Sequence, residues 1–176
     1  LLKKGCKRNN IIVAIGPCIA QANYNIKEDF KKKFLKKSKK NKISKKAKNI
    51  FFVHQIHSNK FIFIDKKFKF SKKKLKADAI VTDQKNLPIA VLTADCVPLL
   101  IYDKKENIIA AIHAGWKGAF KGIVNKVINF LLKKGCKRNN IIVAIGPCIA
   151  QANYNIKEDF KKKFLKKSKK NKISKK

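Results

Sequence analysis

Residues 89–118 read IAVLTADCVPLLIYDKKENIIAAIHAGWKG and hold the strongest strand signals of the chain. Ile89–Thr93 and Val97–Tyr102 are apolar, β-rich runs of strand length, broken at Ala94-Asp95-Cys96. Asp103–Asn107 is polar and reads as a hairpin-like turn. Asn107–His113 is apolar almost throughout, as a strand buried on both faces must be. Gly115 and Gly118 then punctuate the chain.

Working outward, Phe120, Ile123, Val124, Val127, Ile128 and Leu131 recur at helical spacing, which predicts one helix from about Gly118 to Lys134. Gly135 is its expected stop. Ile141–Ile145 reads as a strand ended by Gly146-Pro147. Residues 157–167 predict a surface helix with Phe160, Phe164 and Leu165 on one face and lysines elsewhere. Upstream, 50–56 and 61–64 read as strands flanking the polar turn HQIHSNK, 66–76 as a lysine-rich loop, and ADAIVTD (77–83) as a strand. Several strands, few helices and mixed connections predict an α+β domain of mixed β-sheets in layers flanked by helices.

Residues 1–46 and 131–176 are identical at every position. A strand and a helix are therefore encoded twice, and both copies compete for one slot. The copy after Gly135 has the short, local connection and is expected to win. Residues 1–46 are expected to be out of place, partly detached or docked at an edge, with 47–176 forming the incomplete domain. The chain contains no methionine and reads as a piece of a longer one.

Of 176 residues, 45% are hydrophobic, enough for a core and against full disorder. The net charge is +35, but the repeat inflates it: each copy has 15 basic and 2 acidic residues, the middle 15 and 6. Only Arg8 and Arg138 are arginine. Lysine-dominated basicity lacks the planar fork that reads phosphate and guanine, so no specific nucleic-acid site is expected. Apolar runs are too short to cross a bilayer, and no membrane partner is expected. Two of the five cysteines repeat two others and no C-x-x-C pair occurs, against a zinc ribbon or disulfide scaffold and for a reducing, cytoplasmic setting.

The three histidines, His54, His57 and His113, fall at expected strand ends, as does Cys96. A lone histidine there is usually a structural hydrogen bonder. Imidazole and thiolate donors on neighbouring strands would instead suit Zn²⁺, leaving a fourth position for water or substrate. Spacing alone leaves both readings open.

HQIHSNK, ADAIVTD, IAVLTADCVPLLIYD, IAAIHAGWKGAFKGI and IVAIGPCI, in this order, closely resemble one bacterial family. It is the family called multicopper polyphenol oxidase or laccase-domain proteins, which includes the peptidoglycan editing factor. Its members are described as zinc-dependent purine nucleoside phosphorylases with adenosine deaminase activity. The resemblance implies a truncated version of the family fold and a metal triad of His57, Cys96 and His113; His54 matches no family ligand. It implies Zn²⁺, with Cu²⁺ possible, and small-molecule purine nucleosides (adenosine, inosine, methylthioadenosine) and phosphate as partners.

On that footing Asp95 is the candidate proton shuttle, against a turn-capping role. Lys117 and the glycine-flanked helix start form the candidate phosphate site. Trp116 either stacks on a base or sits in the core. The family's segment before HQIHS and its strands after IGPCI are missing, so impaired activity is expected. Three other readings compete with this one. A multicopper cluster needs more than three histidines. A cysteine hydrolase would use Cys96 as nucleophile and a histidine as base. A basic nucleic-acid-binding fragment would show strong salt dependence.

Overall fold

The computed structural model describes residues 50–71 and 75–150, with 153–154, 158, 161–162 and 164–166 beyond them. The elements are β1 (Phe51–Phe52), β2 (Phe61–Ile64), β3 (Ala79–Thr82), β4 (Ile89–Ala90), β5 (Val97–Asp103), β6 (Ile108–Ala114), α1 (Trp116–Phe120), α2 (Ile123–Lys133), a 3₁₀ turn (Arg138–Asn140) and β7 (Ile141–Ile145). Among the described residues, five strands form one mixed sheet in the order β2-β3-β6-β5-β7, and β1 and β4 form a small parallel pair. Among these described strands, β2 and β3 pair in parallel and the other neighbours of the large sheet pair antiparallel. The expected α+β architecture of mixed sheets and few helices is the one observed.

β6 sits at the centre, and all seven of its residues are buried. Side chains alternate across a strand, so a wholly apolar strand needs cover on both faces. On one face Ile108, Ala110 and Ile112 pack beneath Ile123, Val127 and Leu131, the buried stripe of α2. On the other, Ile109 and Ala111 meet Val53, Ile89 and Val91 from around the small β1–β4 pair.

Three expectations are redrawn. The helix expected over 118–134 is two helices, because Gly122 takes a left-handed conformation (φ 75°) that breaks the run. Gly135 (φ 95°) ends α2 as expected. The strand expected over 50–56 pairs with β4 only at Phe51 and Phe52. Beyond them the Gln55 amide bonds both backbone groups of Leu92, each at 2.7 Å, and so replaces the ladder. The same clasp accounts for the strand expected over 89–93 ending at Ala90.

The carboxy-terminal copy fills the slot beside β5 through β7, in register from Leu99↔Ile145 to Asp103↔Ile141. Residues 1–46 lie outside the described residues, as do Phe160 and much of the expected helix over 157–167. Glu158, Lys161, Lys162 and Phe164–Lys166 are helical, and the Phe164 ring lies 5.8 Å from that of Phe120.

Candidate metal centre

His57, Cys96 and His113 converge, with one donor atom from each lying within 4.8 Å of the others. They come from three places in the fold. His57 stands in the loop between β1 and β2, Cys96 immediately precedes β5, and His113 is the penultimate residue of β6. β5 and β6 are hydrogen-bonded neighbours, with Val97 opposite Ala114 and Pro98 opposite His113. That register brings the thiol beside the buried imidazole. The Cys96 Sγ lies 3.9 Å from His57 Nε2, and the two imidazoles meet edge to face with centroids 4.8 Å apart.

The donor set fits a zinc-sized cation. Nitrogen and sulfur ligands on tetrahedral Zn²⁺ stand about 3.6 Å apart at usual bond lengths, close to the spacing found here. Gly115 leaves the space open: a Cβ there would lie 2.9 Å from His57 Cδ2, 3.1 Å from Cys96 Sγ and 3.4 Å from His113 Cε1. Gly118 has a related duty, since its Cβ would fall 2.6 Å from the Ser58 carbonyl oxygen. The two glycines of HAGWKG therefore allow α1 to approach the His57 loop closely, and Asn59 Nδ2 pins that loop to the Lys121 carbonyl at 2.8 Å.

One residue of this region escaped the sequence reading. Asp78, at the head of β3, is completely buried. Its Oδ1 accepts from the Ile56 N–H at 3.2 Å and the His57 N–H at 2.9 Å, and lies 2.9 Å from His113 Nδ1. Its Oδ2 accepts from the Ser58 N–H at 2.6 Å and hydroxyl at 2.7 Å. Burial alone would push this carboxyl up. The hydrogen bonds from Ser58, His113 and the His57 backbone outweigh it and hold the carboxyl below its ordinary value. The only signal in the sequence was an acid set between alanines at the start of an apolar strand.

Burial lowers the His113 pKa below the ordinary imidazole value, against the opposing pull of Asp78, and this net lowering favours the neutral ligand form. Burial raises the Cys96 thiol, and the charges of Asp95 and Asp78 raise it further. A thiol so placed is a poor free nucleophile, because its thiolate is disfavoured. A cation between the three donors would reverse that balance.

The other candidates are arranged differently. His54 lies outside the group, in an isolated parallel bridge to Lys76. Asp95 is half-buried next to Cys96, and its carbonyl accepts from the Ile149 N–H at 3.0 Å. Trp116 is 40% exposed, which removes the core reading, and Lys117 Nζ stands 5.4 Å from its ring centroid. Both lie on the five-residue α1, whereas the long helix starts at Ile123. The phosphate cradle expected at the start of one long helix thus has its lysine and that helix's N-terminus on separate elements. The Tyr154 phenol is pushed up by burial and by the charges of Cys96 and Asp95.

Comparison with known proteins identifies the family. The profile of the multi-copper polyphenol oxidoreductase laccase family matches residues 1–50 and 40–176. The chain belongs to this family. Among relatives of this laccase family, a protein named purine nucleoside phosphorylase from Rickettsia conorii is 39% identical over 127 residues, covering 72% of this chain and 51% of its own length. One of the same name from Corynebacterium glutamicum is 40% identical over 109 residues, covering 62% and 44%. The crystal structure of a Bacillus licheniformis hypothetical protein, YfiH, superposes with a TM-score of 0.67 at 26% identity, covering 80% of this chain and 56% of that one. A Neisseria meningitidis protein shares the fold with a TM-score of 0.63 at 20% identity, covering 88% and 64%. This laccase-family chain spans about half the length of the curated relatives it matches.

Proposed function

We propose that this chain carries the metal-holding part of a zinc-dependent purine nucleoside phosphorylase that also deaminates adenosine. The observation that carries the reading is the His57–Cys96–His113 group, set in a family whose relatives bear the phosphorylase name. Two imidazoles and a thiolate suit Zn²⁺, and Cu²⁺ is the second candidate. When bound there, the cation would supply Lewis acidity and lower the pKa of a water at its open position.

The chain's own groups take the remaining roles. His57, Cys96 and His113 would hold the cation. Asp95 takes or returns a proton at its carboxylate during deamination at the purine C6. Lys117 pairs with phosphate for attack at the ribose C1′, and the exposed ring of Trp116 stacks on the base. Adenosine, inosine and methylthioadenosine are the expected substrates. The reducing cytoplasm is the place of action in this reading.

Elemental analysis of the purified chain beside Cys96→Ala tests the reading, followed by turnover assays with adenosine and inosine. Near-stoichiometric zinc in the parent, absent from the variant, together with phosphate-dependent release of hypoxanthine from inosine, is the expected result. A folded parent chain that retains no metal would remove the reading for this chain.

A further inference from the structure

We infer that Asp78 is the positioning residue of the metal centre. It sets the tautomer of His113 and holds the His57 loop in place before any cation arrives. The proposal rests on the metal-site reading for its purpose, but its geometry stands without it.

Three observations meet at this carboxylate. First, Asp78 Oδ1 occupies His113 Nδ1 at 2.9 Å, and both side chains are buried, at 0% and 3% exposure. A carboxylate only accepts, so Nδ1 must carry the proton. Nε2 is then the lone-pair nitrogen, and it is the one left for a ligand. Second, His57 adopts a left-handed backbone (φ 55°), uncommon for a non-glycine residue and here imposed by its contacts. The imposing contacts are the successive N–H groups of Ile56, His57 and Ser58, all of which donate to the same carboxylate. Third, the Asp78 main chain is fixed on both sides. Its N–H donates to the Lys60 carbonyl at 2.9 Å, and its carbonyl accepts from the His113 N–H at 2.7 Å.

One buried anion thus joins two of the three candidate ligands, which lie 56 positions apart in sequence. Cys96 needs no such tie, since the β5–β6 register already delivers it. Carboxylates that orient metal-binding imidazoles raise affinity by about 10–100-fold. Asparagine has the same shape, but only one of its two terminal atoms accepts. It cannot serve His113 and Ser58 together.

The test pairs a spectrum with a titration. In the metal-free parent chain, ¹⁵N spectra of the His113 ring should show the Nδ1-protonated tautomer; the Nε2-protonated form would overturn the proposal without any variant. Co²⁺ titration followed by visible absorption should show Asp78→Asn binding about 10–100-fold more weakly, with altered cobalt bands. Ser58→Ala removes only the hydroxyl bond and keeps the three N–H contacts and the His113 contact, so it should change affinity less than about 3-fold. Equal loss in both variants, or none in folded Asp78→Asn, would refute a positioning role. Should the parent bind neither Zn²⁺ nor Co²⁺ while the tautomer is as stated, the functional reading fails and the orientation of His113 by Asp78 stands.

Discussion

Cys96 Sγ stands 3.9 Å from His57 Nε2, although 39 positions separate the two residues. The pair bridges the loop after β1 and the entrance to β5, and neither element holds the other by a strand ladder. A cation seated between them and His113 would therefore cross-link separate parts of the domain. Zn²⁺ at 100 times its dissociation constant should stabilise the folded chain by about 2.7 kcal/mol. Thermal melts with zinc, and with a chelator in excess, check this; Cys96→Ala should show no zinc-dependent shift.

Gly115 should tolerate alanine in the backbone but not in the site. Its φ of −68° and ψ of 160° suit any residue, so stability should change by less than about 1 kcal/mol. The new methyl would press on His57 and Cys96, and metal affinity should fall at least about tenfold, read by competition with a chromophoric chelator.

Gly118→Ala should behave in the opposite way. Its methyl would meet a backbone oxygen, that of Ser58, which cannot swing aside like a side chain. Overpacking of this kind costs about 1–3 kcal/mol, measurable as a lowered urea midpoint with little change in slope.

The core should answer to burial rather than hydrophobicity. Ile112 is fully buried at the centre of β6, and Ile112→Ala should cost about 2–5 kcal/mol. Ile145 is 69% exposed on the edge strand β7, and Ile145→Thr should stay within about 0.5 kcal/mol. Denaturant melts of the two variants separate the cases.

Alkaline stability should depend on Cys136. Burial, with the charge and hydrogen bonding of Asp103 and the charge of Glu106, pushes this thiol up to about 11 from an ordinary 9.0. The unfolded chain then releases the proton at lower pH than the folded one. The thiol's contribution is full below about pH 9 and is lost as pH rises towards about 11. Melts across that window should fall less steeply for Cys136→Ala than for the parent, while lysine titration is common to both.

The strands β2, β5, β6 and β7, the α2 stripe and its Gly135 stop were legible because apolar periodicity and turn residues are local properties of the chain. The three converging donors were legible for another reason: few side chains ligate soft cations, and their flanking motifs resemble one family's. What the sequence left open depends on groups far apart in the chain. Asp78 looks like any strand-edge aspartate until the fold buries it and turns His113 and three N–H groups towards it. Gly115 and Gly118 read as punctuation until the Cβ positions are compared with the His57 loop. The helix break at Gly122 and the Gln55–Leu92 clasp follow from the path each segment must take over the sheet. Local pattern was enough for most strands of the large sheet, for the three candidate donors and for the family. Tertiary structure decided which donor nitrogen is free, which glycines must stay glycine, and that Trp116 faces solvent, because proximity, burial and hydrogen bonding arise only when the layers pack.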